Sequence, residues 1–166
     1  MKTILALVMS SILLVGCGNY KTKTNDIKID VSAEGPFFAG SNSLIGELQF
    51  DGKDFLEDAD FNEIANVRIN GISVEMQEGQ EMSLDQFTSA SIQLVSNNNP
   101  MTSVGIMNPI EVVDDELSMT ISDEADVTSF FQDGKFSILL DLDFMEDSYI
   151  EQLEAELELS LTIEYK

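Results

Sequence analysis

The last stretch of this chain alternates apolar and polar residues with a period of two. From Leu153 to Tyr165 every odd position is apolar (Leu153, Ala155, Leu157, Leu159, Leu161, Ile163, Tyr165), and every even position is polar. Leu, Glu and Ala individually favour helix. On a helix, however, these apolar residues would spread around the circumference, whereas on a strand they share one face. The pattern therefore predicts a long strand with one buried face. Phe136, Ile138, Leu140, Leu142 and Phe144 repeat the alternation, and the short polar link Met145 to Ser148 predicts that these two strands pair antiparallel.

Shorter strands are expected earlier. Ile27, Ile29 and Val31 alternate, Leu44 to Phe50 forms a run, and Val67 to Met76 alternates on either side of Asn70-Gly71. That pair fits a type I′ turn or a bulge within one strand, the bulge being favoured. Ala90, Ile92 and Leu94, then Val104 to Met107, Ile110 to Val113 and Leu117 to Ile121 complete the set. Helical turns are expected at Asp58 to Ile64 and at Ser122 to Phe131, with Ser122 as N-cap. The expected fold is all-β: an antiparallel β-sandwich, immunoglobulin-like or jelly-roll, with one or two short helical turns.

The first residues follow a different rule. Lys2 precedes an apolar run from Ile4 to Val15, which ends in Leu14-Val15-Gly16-Cys17. A membrane-spanning helix needs about 20 apolar residues, so this run is short for a span and suits a signal-peptide core. Cys17 is the only cysteine in the 166-residue chain. Residues 1–18 resemble the signal peptide and lipobox of bacterial lipoproteins. The resemblance implies that Cys17 carries a covalent diacylglycerol and that cleavage falls between Gly16 and Cys17. It also implies a cell-envelope location; for a host with two membranes, Gly18, where Asp would favour inner-membrane retention, resembles the class sorted to the outer membrane and facing the periplasm. The expected organisation is a cleaved signal at 1–16, a lipidated polar tether at 17–25, and one acidic domain at 26–166.

Charge narrows the function. The formal net charge is −23, and all 31 acidic residues lie at Asp26 or beyond. Such a field argues against nucleic acid, whose phosphates require Lys and Arg. The chain has no histidine and no tryptophan. Ser-His-Asp, Cys-His and His-zinc sites are thereby excluded, and a sugar-stacking platform is weakened. A carboxylate-only hydrolase is a minor alternative. Calcium is another, through Asp54-Glu57-Asp58-Asp60, Asp114-Asp115-Glu116 or Asp123-Glu124-Asp126. None is an EF-hand: after Asp58, Asp60 and Asn62, the required Gly and Glu positions hold Glu63 and Ile69. The scattered body methionines suit core filling, and Phe37-Phe38 and Phe130-Phe131 suit packing or the lining of an apolar cavity. The expectation is a lipid-anchored, non-catalytic binding or scaffolding module without catalytic, cofactor or metal residues, held to a membrane, its acidic face either contacting a basic protein partner or remaining inert. A Ca²⁺-stabilised adhesion or ligand-binding module is the runner-up.

Overall fold

The computed structural model describes residues 20–49, 56, 63–113, 115–122 and 125–166. Nine strands follow in chain order: β1 (Lys21–Glu34), β2 (Gly40–Gln49), β3 (Ile64–Met76), β4 (Phe87–Val95), β5 (Thr102–Met107), β6 (Glu116–Ser118), β7 (Thr120–Ile121), β8 (Lys135–Phe144) and β9 (Gln152–Tyr165). A 3-10 turn at Leu84–Gln86 and a short helix, α1 (Thr128–Asp133), complete the described elements. Every pairing is antiparallel, in the order β6-β3-β9-β1-β2-β8-β4-β5-β7. The fold is all-β, as the alternation predicts.

A long ribbon bent double explains the architecture. β1 pairs with β9 from Lys21↔Tyr165 to Glu34↔Gln152, and β2 pairs with β8 from Gly40↔Phe144 to Gln49↔Lys135. Between the two ladders a single bridge, Phe37↔Ser148, keeps the connectors side by side. Gly35 N–H also donates to Glu151 O at 2.9 Å, and Ala39 N–H to Asp147 Oδ1 at 2.9 Å. The ribbon thus folds over at 35–39 and 145–151, laying the apolar faces of its two halves against each other. The expected β8–β9 pairing is therefore corrected. The link is polar, but it is pinned to the β1–β2 connector and carries the chain from one half to the other.

Two seams turn the bent ribbon into a flattened, nearly closed barrel. At the first, β1 and β2 meet through Ser32↔Ile45. Gly46 permits that approach, because a Cβ there would lie 2.6 Å from Asp30 O and 2.9 Å from Val31 Cγ1. At the second, the segment 116–121 changes partners midway. Glu116–Ser118 pairs with β3, Thr120–Ile121 pairs with β5, and Met119 N–H donates to Ile72 O at 2.9 Å. Leu117 and Met119 keep the inward period across the switch. Closure of this kind removes the exposed edges that invite aggregation.

The inward set forms one core, including Ile27, Ile29, Val31, Leu44, Val74, Ile138, Leu140, Leu142 and the odd positions Leu153 to Ile163. Each such Leu or Ile contributes about 1.5–3 kcal/mol by leaving water. Asn70-Gly71 lies inside β3 with a register shift between Ile69 and Gly71, so the bulge is observed and the hairpin is not. Ile110 to Val113 forms only the isolated bridge Val113↔Glu116 instead of a strand.

Helix α1 starts later than expected, at Thr128, and ends at Gly134 in the left-handed region (φ 71°). Ser122 is not its cap. The Ser122 N–H instead donates to Val104 O at 3.0 Å, extending the seam, while Asp126 Oδ1 accepts the Thr128 N–H at 3.0 Å. The turn expected at Asp58 to Ile64 falls mostly outside the described residues, and Ile64 opens β3. The segment expected to be a tether is corrected as well. From Lys21 onward it is paired strand, because Lys23 and Asn25 continue the inward period of β1 and meet Ile163 and Leu161. Among the described residues, no helix is long and apolar enough to cross a membrane.

Candidate functional site: an acidic end with apolar tips

Strand directions give the barrel two distinct ends. The proximal end carries Tyr20, the start of β1 and the finish of β9. The distal end carries the connectors 35–39, 77–86, 108–115 and 145–151. The sequence has no Lys or Arg between Arg68 and Lys135, nor between Lys135 and Lys166. The antiparallel topology brings those cation-free stretches together at the distal end.

Register concentrates the acidity further. Glu116 stands opposite Glu75, Glu75 opposite Glu156, and Glu156 opposite Asp30. Their inward neighbours Leu117, Val74, Leu157 and Val31 are buried, so all four carboxylates share the outer face of four adjacent strands. Like charges directly opposite one another destabilise a sheet. Partial relief comes from Lys28, whose Nζ bonds the Glu156 carboxylate and lies 3.6 Å from Glu158 Oε2. The hydrogen bond and charge of Glu156 hold the Lys28 ammonium above the ordinary lysine range. Gln77 Nε2 donates to Asp30 Oδ1 at 2.9 Å.

Beside this rung, the arch 77–86 walls two clefts. One, of about 540 Å³, has Met76, Met82, Leu84, Val112, Asp85 and Asp115 among its lining. The other, of about 410 Å³, lies between Glu81, Asp85 and the connector residues Met145, Glu146 and Asp147. Three large apolar side chains stand out at the bend of the ribbon: Tyr149 is 79% exposed, Phe38 58% and Met145 54%. Exposed aromatic and Met side chains beside clefts are the residue types that anchor interfaces.

The residues singled out from sequence are distributed as follows. Gly16 and Cys17, and Asp54, Glu57, Asp58, Asp60, Asp114, Asp123 and Glu124, lie outside the described residues. Asp115 occupies a left-handed turn (φ 64°) in which the Val113 and Glu116 N–H groups bond each other's carbonyls at 3.0 Å. Among the described residues, no three carboxylates converge on one point as a metal site requires. Phe37 stacks on Phe144 with ring centroids 5.2 Å apart, and Phe130 and Phe131 pack edge-on against Phe136. Those three pack in the core, whereas Phe38 points outward. The four-carboxylate rung escapes a reading of local clusters because its members are 30, 75, 116 and 156 in sequence. The signal available was the outward phase of each acid on its strand.

Compared with known proteins, the chain matches no family model, no curated protein and no solved structure.

Proposed function

We propose that this protein is a lipid-anchored, non-catalytic binding module of the bacterial envelope, attached through Cys17 in the outer membrane, facing the periplasm, and engaging a basic protein segment with its distal end. The observation that carries the reading is the juxtaposition of exposed Phe38, Met145 and Tyr149 with the acidic end, whose connectors 35–39, 77–86, 108–115 and 145–151 carry no Lys or Arg. A strongly negative end raises the local concentration of cationic partners and accelerates their encounter. Clustered apolar side chains then supply contact area, and the Tyr149 ring offers a face to a Lys or Arg. The absence of histidine and of a second thiol removes imidazole and free-thiol chemistry, and the acids of the rung face solvent on the outer face of the sheet.

The test is titration of the protein with a synthetic Lys- and Leu-rich amphipathic peptide, compared with an acidic peptide of equal length. The basic peptide should bind, weaken with added salt, and weaken again on Tyr149→Ala or on paired Glu146→Gln and Glu151→Gln. Binding unaffected by those variants would place the contact elsewhere and sink the proposal.

A further inference from the structure

The outer surface of the barrel has two unlike faces. β1 and β9 turn Asp26, Asp30, Glu154, Glu156, Glu158 and Glu164 outward. On the other face, the outward positions of β2 and β4 hold a single acid, Glu47, among Ser, Thr, Gln and the apolar Ile45 and Val95. Between them β8 presents Lys135, Ser137, Leu139, Asp141 and Asp143. The charges there are partly matched within the chain. Lys135 Nζ lies 3.2 Å from Glu47 Oε2, and Asp141 accepts from Ser43 Oγ and, at 3.1 Å, from Gln93 Nε2. Among the described residues, three large apolar side chains stand exposed on this face: Ile45 on β2, Ile106 on β5, and Met101 just before β5.

The pattern on this face is self-complementary. Ile45, Leu139, Gln93 and Ser103 form one row across four strands. A two-fold axis laid along that row brings a second copy face to face with its strands reversed. Ile45 then meets Ile45 of the second copy, and Leu139 meets Leu139. Lys135 and Asp143 each stand four residues from Leu139 on β8, so each comes opposite the other in the second copy. By the same symmetry Asp141 comes opposite Ser137, and Glu47 opposite Ser43. No carboxylate is set against a carboxylate. A two-fold axis along the strands would instead lay Leu139 on Gln93 and Ile45 on Ser103, apolar against polar.

We infer that this face pairs two copies of the chain about the axis that crosses its strands. Such a contact is isologous, with one patch serving both partners. An apolar centre with a polar surround is the ordinary anatomy of an interface. Packed sheets lie about 10 Å apart, a gap that Leu and Ile side chains fill from both sides. Nine residues at about 3.3 Å and four strands at about 4.8 Å bound the footprint at about 570 Å² per copy. That is about 1,100 Å² over both copies, the size of weak, transient associations. The long-range repulsion between two acidic chains is screened over about 8 Å at physiological ionic strength, whereas the Lys135–Asp143 pairs act at contact. An axis normal to a membrane would keep both N-termini at one height, so anchored copies can pair as well as free ones.

For the test, the full chain is produced in a two-membrane bacterial host and treated, in the cell fraction that holds it, with a short, rigid bismaleimide. Leu139→Cys places a thiol on the axis and should give a covalent dimer. Lys135→Cys and Asp143→Cys, carried on two differently tagged chains in one cell, should give a dimer bearing both tags. Either site alone should give little, because its two copies lie about 26 Å apart along the strands. Glu158→Cys, on the acidic outer face of β9, should give no more than the unsubstituted chain, whose Cys17 sets the background.

Charge reversal checks the register. In the Leu139→Cys chain, Lys135→Glu should cut the cross-linked fraction severalfold, and Asp143→Lys added to it should restore the fraction. The two positions are about 26 Å apart on one strand, so that rescue acts only between copies. If Leu139→Cys weakens the face, Ile45→Cys reports on the same row. Cross-linking at Leu139 and Ile45 no greater than at Glu158 overturns the inference. A mixed pair no better than either site alone, or charge reversal without effect or without rescue, overturns it equally.

Discussion

Glu75 has a carboxylate directly opposite on either side, Glu116 on β6 and Glu156 on β9. Replacing it by Gln keeps the shape and removes one charge. Side chains in directly opposed positions put the carboxylates about 6 Å apart. In a high-dielectric surface environment each like pair then costs about 0.7 kcal/mol, and screening at physiological ionic strength roughly halves that. Two neighbours therefore give a gain of about 0.7 kcal/mol for Glu75→Gln at moderate salt, and roughly twice that in dilute buffer. For a domain of this size the midpoint should rise by about 1–3 °C at moderate salt. The assay is thermal melting of both proteins across a salt series. The gain should be largest in dilute buffer and fade near molar salt. Glu78→Gln, on the arch and outside the ladder, should give a smaller shift. A loss of stability, or a gain that ignores salt, would refute the electrostatic reading of the rung.

Other outcomes follow from the same geometry. Gly46→Ala should cost about 1–3 kcal/mol in chemical denaturation, because its Cβ meets backbone at Asp30. Gly105→Ala should cost less, since the nearest atom to its Cβ, at 2.8 Å, is the movable Cδ1 of Ile72. Leu157→Ala should cost about 2–5 kcal/mol, whereas Glu158→Ala on the outer face should stay within about 1 kcal/mol. The stabilising contribution of Lys28, whose pKa is raised by Glu156, is fully present below the ordinary lysine value. It should be lost as pH rises through the raised one, so a Lys28→Gln variant should converge on the parent in strongly alkaline melts. Cys17→Ala should abolish fatty-acid labelling and leave the chain unprocessed; normal cleavage and release would remove the lipid anchor from the proposed function.

The strands were readable because period-two alternation is a local property. β8 and β9 are set by Phe136 to Phe144 and Leu153 to Tyr165, and their burial follows that phase residue by residue. Partner choice was less readable. A four-residue polar link suggests a hairpin, yet hydrogen bonds from the β1–β2 connector to Ser148, Asp147 and Glu151 turn the link into a crossover. Those partners lie more than a hundred residues away, and no local pattern announces them. The same holds for the acidic rung. Each acid looks like an ordinary solvated residue, and only the register of β6, β3, β9 and β1 lines them up. The distal tip was half readable: Phe37-Phe38 was singled out, but which ring turns outward depends on the bend of the ribbon.

The most direct test of the acidic end as the interaction surface is site-specific photo-crosslinking in intact cells. A photoreactive residue at Tyr149 should give a discrete adduct with a different protein, and the same residue at Met101, exposed just before β5 at the opposite end, should give none. Equal adducts at both positions, or none at Tyr149 in membranes that retain the protein, would contradict a binding role for the distal end.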